Sequence, residues 1–332
     1  MINKIRYYVT ENTIPYQNIA VEEYLMYHVQ PGECILFLWQ NRNTVVIGRN
    51  QNAWGECRVR ELEESGGFLA RRLSGGGAVY HDMGNLNFTF CVRTADYDIS
   101  RQLSVIQNAV RAFGLHAEKT GRNDITVDGK KISGNAFFKS GDCQYHHGTI
   151  LIQADTEKMS RYLQVSPSKL QSNGVSSVHS RVMNLSEKNP AITVSSLIPQ
   201  LIASFAQVYG LTPEEIPQQE LDSAEIEQRT AFFSSWQWRL GTRVNVQTVE
   251  ETRFPWGSAA ISYRLHHGAL TDVRLFSDGL EETFLASLPG YLEGCPCTPE
   301  ALAQRAAAIP VEHAAQAEIL RDCLQLLQQQ LV

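Results

Sequence analysis

The segment Arg71-Arg72-Leu73-Ser74-Gly75-Gly76-Gly77-Ala78-Val79-Tyr80-His81-Asp82 carries the residue types best suited to holding an anion. Three consecutive glycines let successive backbone N–H groups turn toward one point without Cβ obstruction. Such a concave set of N–H groups binds anions, and an adjacent arginine adds a planar fork that matches phosphate or carboxylate. The spacing is neither GxxxxGK[ST] nor GxGxxG, so the common nucleotide-loop patterns do not apply. Taken alone, the segment reads equally well as a tight turn beside a surface arginine.

A second constellation spans Gly121-Arg122-Asn123-Asp124-Ile125-Thr126-Val127-Asp128-Gly129-Lys130-Lys131-Ile132-Ser133-Gly134-Asn135-Ala136. Asp128-Gly129 is a strong two-residue hairpin signal and predicts the pairs Val127–Lys130, Thr126–Lys131, Ile125–Ile132 and Asp124–Ser133. Alternation then places Asp124, Thr126, Lys131 and Ser133 on one polar face, with Lys130 on the face of Ile125, Val127 and Ile132. That polar face is either solvated or occupied by a ligand. Two histidines, His146 and His147, open the next strand. As neighbours they point to opposite faces, which suits packing better than chelation. Cys143 is the one cysteine close to this region and is a candidate acyl-carrying nucleophile. A Gly-x-Ser-x-Gly elbow is lacking.

The elements that position these residues mix the two periods. Asn18–Val29, Trp54–Glu64 and Ile99–Phe113 read as helices, the first and third amphipathic. Cys34–Trp39, Thr44–Ile47, Phe68–Arg72, Leu86–Val92 and His147–Gln153 read as strands, with Gln40-Asn41-Arg42-Asn43 turning between the first two. This is not the regular strand–helix repeat of a doubly wound sheet, so a mixed or antiparallel sheet with flanking helices is expected. Beyond a polar loop, Ser166–Leu185, helices are expected at Ala191–Val208 and Pro213–Phe233. After the polar run Asn245–Glu251 come two strands, Ala259–Leu265 and Leu270–Phe276. A helix follows, capped by Thr298 with Pro299 at its first position, and then a last amphipathic helix.

The 332 residues suggest about two domains at roughly 150 residues each. Lys+Arg 29 against Asp+Glu 35 gives a net charge of −6, which disfavours nonspecific binding to nucleic acid or anionic membrane. The longest apolar run, Cys34–Trp39, is far short of the ~20 residues that span a bilayer. The start, MINKIRYYVT, lacks a signal-peptide apolar stretch. Seven cysteines, only Cys295 and Cys297 close together, fit reduced thiols in the cytoplasm.

Together these segments resemble the lipoate–protein ligase A family. The similarity runs through Asn18-Ile19-Ala20-Val21-Glu22-Glu23, Val46-Ile47-Gly48-Arg49-Asn50-Gln51-Asn52, the arginine–glycine segment and Gly121-Arg122-Asn123-Asp124. It continues through Lys131-Ile132-Ser133-Gly134, His146-His147-Gly148-Thr149, Ser177-Val178-His179-Ser180-Arg181-Val182 and Phe254-Pro255-Trp256-Gly257. The resemblance implies an α/β fold of the α+β type, like class II synthetases and biotin protein ligase. Its largely antiparallel mixed sheet would carry flanking helices, with a catalytic domain at 1–246 and a small α/β accessory domain at 250–332. It implies that lipoate and Mg-ATP give lipoyl-AMP and pyrophosphate, after which a lysine of an acceptor attacks to form an amide. The implied acceptors are the lipoyl domains of 2-oxoacid dehydrogenases and the glycine-cleavage H protein.

By the same resemblance Arg72, Gly76, Gly77, Ala78, Val79, Tyr80, Asn123, Asp124 and Lys131 would hold the nucleotide. Lys131, Arg72, Ser74, Gly77, His81 and His147 would hold lipoate, Lys131 would be catalytic, and Asp124 would take Mg²⁺. Val79 and apolar strands would line the slot for an acyl tail selected for little beyond length. Two positions depart from the family pattern: His179 stands in place of arginine and Asn135 in place of serine. The rival readings are an ATP-independent octanoyl- or lipoyltransferase on the same fold, working through a cysteine thioester, and a non-catalytic lipoate-binding regulator.

Overall fold

The computed structural model describes residues 1–120, 124–164, 182–240, 247–248, 251–266 and 268–328. Asn123, His179 with most of the polar loop 166–185, and most of the 245–251 run therefore lie outside the described residues. The chain begins β1 (Lys4–Val9), α1 (Pro15–His28), β2 (Glu33–Trp39), β3 (Thr44–Ile47), α2 (Ala53–Glu56) and α3 (Val59–Glu64). It continues with β4 (Phe68–Arg71), β5 (Val79–His81), β6 (Asn85–Arg93), α4 (Ile99–Arg111), β7 (Ala117–Thr120), β8 (Asp124–Val127), β9 (Lys130–Ser140) and β10 (Cys143–Leu151). Next come α5 (Thr156–Tyr162), α6 (Val194–Tyr209), β11 (Glu214–Glu215), α7 (Ser223–Ser234) and α8 (Trp236–Leu240). The last part holds β12 (Gln247–Thr248), β13 (Thr252–Phe254), β14 (Gly257–His266), β15 (Ala269–Ser277), α9 (Glu282–Leu292), α10 (Pro299–Ala307) and α11 (Ala314–Gln328).

A mixed eight-stranded sheet in the order β11-β1-β2-β6-β10-β9-β8-β7 forms the centre, antiparallel from β2 through β7. Its middle strands are buried on both faces, which is why β2 reads as an unbroken apolar run. Period two sends Cys34, Leu36 and Leu38 into one core with α4 and α6, and Ile35, Phe37 and Trp39 into a second core with α1 and α7. β6 follows the same rule, with Leu86, Phe88, Phe90 and Val92 on the first face. Its other face carries Asn87 and Thr89, polar groups at buried positions. A small sheet, β4-β3-β5, stands beside the large one. The small C-terminal domain, an antiparallel sheet of β12–β15 with α9–α11, has its own apolar core running from Trp256 to Leu327.

Tertiary pairing altered several sequence expectations. β2 and β3 flank the predicted turn but belong to different sheets, so they do not form a hairpin. The predicted helix Trp54–Glu64 breaks at Cys57-Arg58, because Arg58 donates its N–H to Tyr162 O at 3.0 Å and Cys57 bridges Leu163. Pro213–Phe233 is helical only from Ser223, where Asp222 caps Ala224 N and Glu225 N, since residues 214–215 pair with the edge of β1. Helix α1 is not amphipathic. Asn18 through Met26 are all buried, because α7 covers its outer side and Arg229 forks onto Glu23.

The Asp128-Gly129 turn forms as predicted, with positive φ at both residues (51° and 73°), the signature of a type I′ hairpin. The pairs Val127–Lys130 and Thr126–Lys131 also form, but a bulge at Ile132 then shifts the register to Ile125–Ser133 and Asp124–Gly134. Ser133 thus falls opposite core-facing Ile125, not on the polar face assigned to it. The bulge coincides with a further backbone contact, Met183 N–H to Lys131 O at 2.9 Å.

Gly84 shows how tightly these strands approach the following chain. A Cβ there would lie 1.9 Å from Gln153 O, and Gly84 O accepts the N–H groups of Ile152 and Gln153. Gly84→Ala should therefore cost about 1–3 kcal/mol of stability, read as a fall in the urea midpoint of the full chain.

Candidate functional site

A cavity of about 160 Å³ lies between the sheet and the glycine-rich segment. Its floor is a cross-strand pattern. Trp39, Asn87 and Thr149 stand side by side on β2, β6 and β10, and Thr89, His147 and Ala136 form the next row on β6, β10 and β9. From Lys131 on β9 to Trp39 on β2 is three strand spacings, about 14 Å at ~4.8 Å each. Ile19 and Glu22 of α1, Val46 of β3 and the backbone of Gly76-Gly77-Ala78-Val79 close the remaining sides. The slot is therefore long, narrow and polar at both ends.

Lys131 marks one end. Its ammonium sits 2.7 Å from Asp124 Oδ1, with each side chain 35% exposed, so both groups remain reachable by a ligand. Gly134 makes room for it, since a Cβ at that position would come within 3.0 Å of Lys131 Nζ. Lys130, at the turn, is exposed and outside the cavity wall. Among the described residues no group of three or more His, Cys, Asp or Glu side chains converges as a metal site.

Arg72 is buried beneath the glycine-rich segment. Its guanidinium donates to Ser74 Oγ at 3.0 Å, Val46 O at 3.2 Å, Gly75 O at 2.7 Å and Gly77 O at 2.8 Å. Burial lowers its pKa to about 10, which leaves it cationic at neutral pH. Arg72 thus shapes the loop with the same fork that sequence reasoning aimed at an anion. Arg71 does the same on the outer side, donating to the carbonyls of Gly48, Arg49, Gln51, Trp238 and Arg239.

The other end of the slot holds Trp39 and His81, with ring centroids 6.3 Å apart. Burial, reinforced by Arg72 and His147, drives the His81 pKa down to about 3, so the ring is neutral. His81 Nδ1 lies 3.2 Å from Asn41 Nδ2. Three buried polar atoms of the wall, His81 Nε2, Asn87 Nδ2 and Glu22 Oε2, have no hydrogen-bond partner among the described residues. The Trp39 end of the slot therefore carries polar groups as well as the apolar lining expected from sequence.

Of the residues singled out from sequence, Arg72, Gly76, Gly77 and Ala78 line the cavity, as do Val79, His81, Lys131 and His147. Ser74 lies just behind the wall, bonded to His147, and Asp124 reaches the site through Lys131. The Tyr80 side chain turns away into a separate core, where its hydroxyl donates to Asn43 Oδ1. His146 and His147 diverge as expected. His147 faces the cavity, and His146 is buried on the opposite face between Gln102 and Asn135. That contact gives Asn135, the second departure from the family pattern, a buried partner. Cys143 is buried at the far end of β10, beside Arg93 and Asp142, and does not line the cavity. Burial raises its thiol pKa, which suppresses thiolate character.

Sequence reasoning assigned no role to Glu22, Trp39, Asn87 or Thr89. A signal was available for the two β6 residues: with Asn85 they are polar side chains that alternate with apolar Leu86, Phe88 and Phe90.

The C-terminal domain reaches the same loop. Gly76 donates its N–H to Gly279 O at 3.3 Å, and a Cβ on Gly75 would lie 2.4 Å from that carbonyl. Asn50 binds the same segment from both sides, accepting from Ser277 N and donating to Glu282 O.

The family model for the lipoyl protein ligase A/B catalytic domain matches residues 14–206, more than half of the chain. The chain belongs to the lipoate–protein ligase family. A second family model, the bacterial lipoate protein ligase C-terminus, matches residues 244–327. Among solved structures, Plasmodium falciparum LipL1 in complex with lipoate is 30% identical, covers 97% of this chain and 99% of its own, and superposes with a TM-score of 0.85. A lipoate-protein ligase A bound with ATP is 26% identical over 73% of this chain and 99% of its own, at a TM-score of 0.61. The bipartite lipoate protein ligase of Thermoplasma acidophilum, described with its E2 lipoyl domain, is 26% identical over 74% and 99%, at 0.64. Membership supports a lipoyl-attaching enzyme. Among the described residues no helix is long and apolar enough to cross a membrane.

Glu282 links this family fold to pH. Burial first, then Glu281, raises its carboxyl pKa from 4.5 to about 7, with Arg49 opposing. A carboxyl raised in the folded state stabilises fully below its ordinary range and loses that contribution as pH rises through about 7. Urea unfolding of the full chain at pH 6 and pH 8 should show a larger drop in midpoint than in Glu282→Gln.

Proposed function

We propose that this lipoate–protein ligase activates lipoate with ATP to lipoyl-AMP and then transfers the lipoyl group to a lysine of an apo lipoyl domain. The observation that carries the reading is the slot itself, with Lys131 and the glycine-rich loop at one end and room for an extended acyl chain toward Trp39. The lipoate-bound and ATP-bound relatives support both small-molecule partners, and the relative described with an E2 lipoyl domain supports the acceptor class. Glycine-cleavage H protein is proposed as a further acceptor. We assign the chemistry to residues 1–246 and an accessory role to residues 250–332.

In the first step the lipoate carboxylate attacks the α-phosphorus and pyrophosphate leaves. Two anions must approach, and the Lys131 ammonium with the N–H groups of Gly77-Ala78-Val79 would offset that repulsion in a site walled from water. Lys131 would exchange Asp124 for the ligand's oxygens. A single carboxylate such as Asp124 suits Mg²⁺ bound chiefly through substrate phosphates, where the ion would neutralise charge on the departing pyrophosphate. In the second step the acceptor amine attacks the acyl carbonyl, AMP leaves, and Lys131 stabilises the oxyanion.

The transferase reading requires a cysteine at the acyl carbonyl. Among the described residues no cysteine lines the cavity, and Cys143 is buried elsewhere. The test is intact-mass analysis of an apo lipoyl domain incubated with the chain, Mg²⁺ and lipoate, with and without ATP. A lipoyl-sized gain only with ATP is expected; an equal gain without ATP would overturn the reading. Lys131→Ala should lower adenylation by at least ~10²–10³, while Lys130→Ala should cost less than about tenfold, because its side chain lies outside the slot. Cys143→Ser should keep most ligation. Lipoate-dependent pyrophosphate exchange reports the two lysine variants, and the intact-mass assay reports Cys143→Ser.

A further inference from the structure

Five segments of the chain meet in one buried hydrogen-bonded chain behind the slot. Arg72 Nε donates to Ser74 Oγ at 3.0 Å, and Ser74 Oγ lies 2.7 Å from His147 Nε2. His147 Nδ1 lies 2.7 Å from Glu22 Oε1, and Thr89 Oγ1 donates to the same oxygen at 2.6 Å. Trp39 Nε1 in turn donates to Thr89 Oγ1 at 3.1 Å. Ser74, Thr89, Glu22 and His147 are all buried.

The inventory of donors sets the direction of the bonds. Trp39 has only a donor, so the Thr89 proton goes to Glu22. A carboxylate at Glu22 only accepts, so Nδ1 of His147 carries its proton. With the ring neutral, Nε2 accepts, the Ser74 proton goes there, and the Ser74 oxygen is left to accept from Arg72.

We propose that Glu22 is a positioning residue. By holding His147 as its Nδ1–H tautomer, it lets Ser74 and Arg72 fix the glycine-rich loop in its binding geometry. This rests on the adenylating reading given above. Protonating His147 would undo the order, because Nε2 would become a donor facing Ser74 and a second cation would stand beside Arg72. The charged and titratable groups around the ring are Glu22 of α1, Arg72 of the loop, His81 of β5, Lys131 of β9 and Tyr145 and His146 of β10. Of these, Glu22 alone is positioned to favour the imidazolium.

Two readouts on the full chain test the proposal. In protein labelled with ¹⁵N-histidine, the His147 resonances, assigned by their loss in His147→Gln, should report the Nδ1–H tautomer at pH 8. An Nε2–H tautomer would overturn the proposal whether or not the chain adenylates lipoate. The second readout is lipoate-dependent pyrophosphate exchange at pH 8. Glu22→Leu, which offers no acceptor, should raise the KM for ATP at least tenfold at pH 8, with substantial recovery in Glu22→Gln. Indistinguishable kinetics for Leu and Gln at this position would show that Glu22 only fills space. Failure of exchange in the wild-type chain with the Nδ1–H tautomer present would count against the adenylating reading alone.

Discussion

The constraint on which this structure depends is a sheet covered on both faces. Once α4 and α6 pack on one side and α1 and α7 on the other, every polar side chain on the middle strands must find a partner inside the protein or in a ligand. Asn87 and Thr89 on β6, His147 on β10 and Glu22 on α1 are such groups, and they lie together where the slot runs. Thr89 and His147 both bond Glu22 Oε1, while His81 Nε2, Asn87 Nδ2 and Glu22 Oε2 have no partner among the described residues. A polar atom left buried and unpaired costs of order 1–3 kcal/mol. Several in one wall mark a surface shaped for an occupant.

The glycine-rich loop depends on the same economy of partners. Arg72 lies beneath it and binds its carbonyls. Gly75 and Gly76 permit the close approach of Gly279 from the C-terminal domain, a contact that a side chain at Gly75 would block. One backbone segment therefore answers to the slot, to a buried arginine and to the second domain. Glu282, buried at that junction with a pKa near neutrality, ties the contact to pH.

Lys131 depends on geometry rather than on an unusual environment. The bulge at Ile132 sends Ser133 to the core and leaves Gly134 beneath the lysine, so the ammonium reaches across an open position toward Asp124. A regular hairpin would have set Ser133 beside it. Lys131 keeps the face expected for it because the bulge lies beyond it, and the two pairs nearest the turn keep their places.

Much of this was legible in the amino-acid order, for local reasons. Asp128-Gly129 needs only two residues to set a type I′ turn, and the alternation after it separated Lys131 from Lys130. The double burial of β2 followed from an unbroken apolar run, and the divergence of His146 from His147 from the two-residue period of a strand. The family, and with it the mixed fold, followed from the order of short motifs. What tertiary structure alone decided has a common cause: it depends on backbone partners supplied from far along the chain. Tyr162 breaks the helix at Cys57-Arg58, β1 captures residues 214–215, and Met183 binds the bulged strand at Lys131. Glu22 is the clearest case. Its helix reads as amphipathic until α7 covers the outer side, and only then does a carboxylate 125 residues from His147 become its partner. Periodicity names the face on which a side chain lies; it carries no information about which distant element will lie against that face.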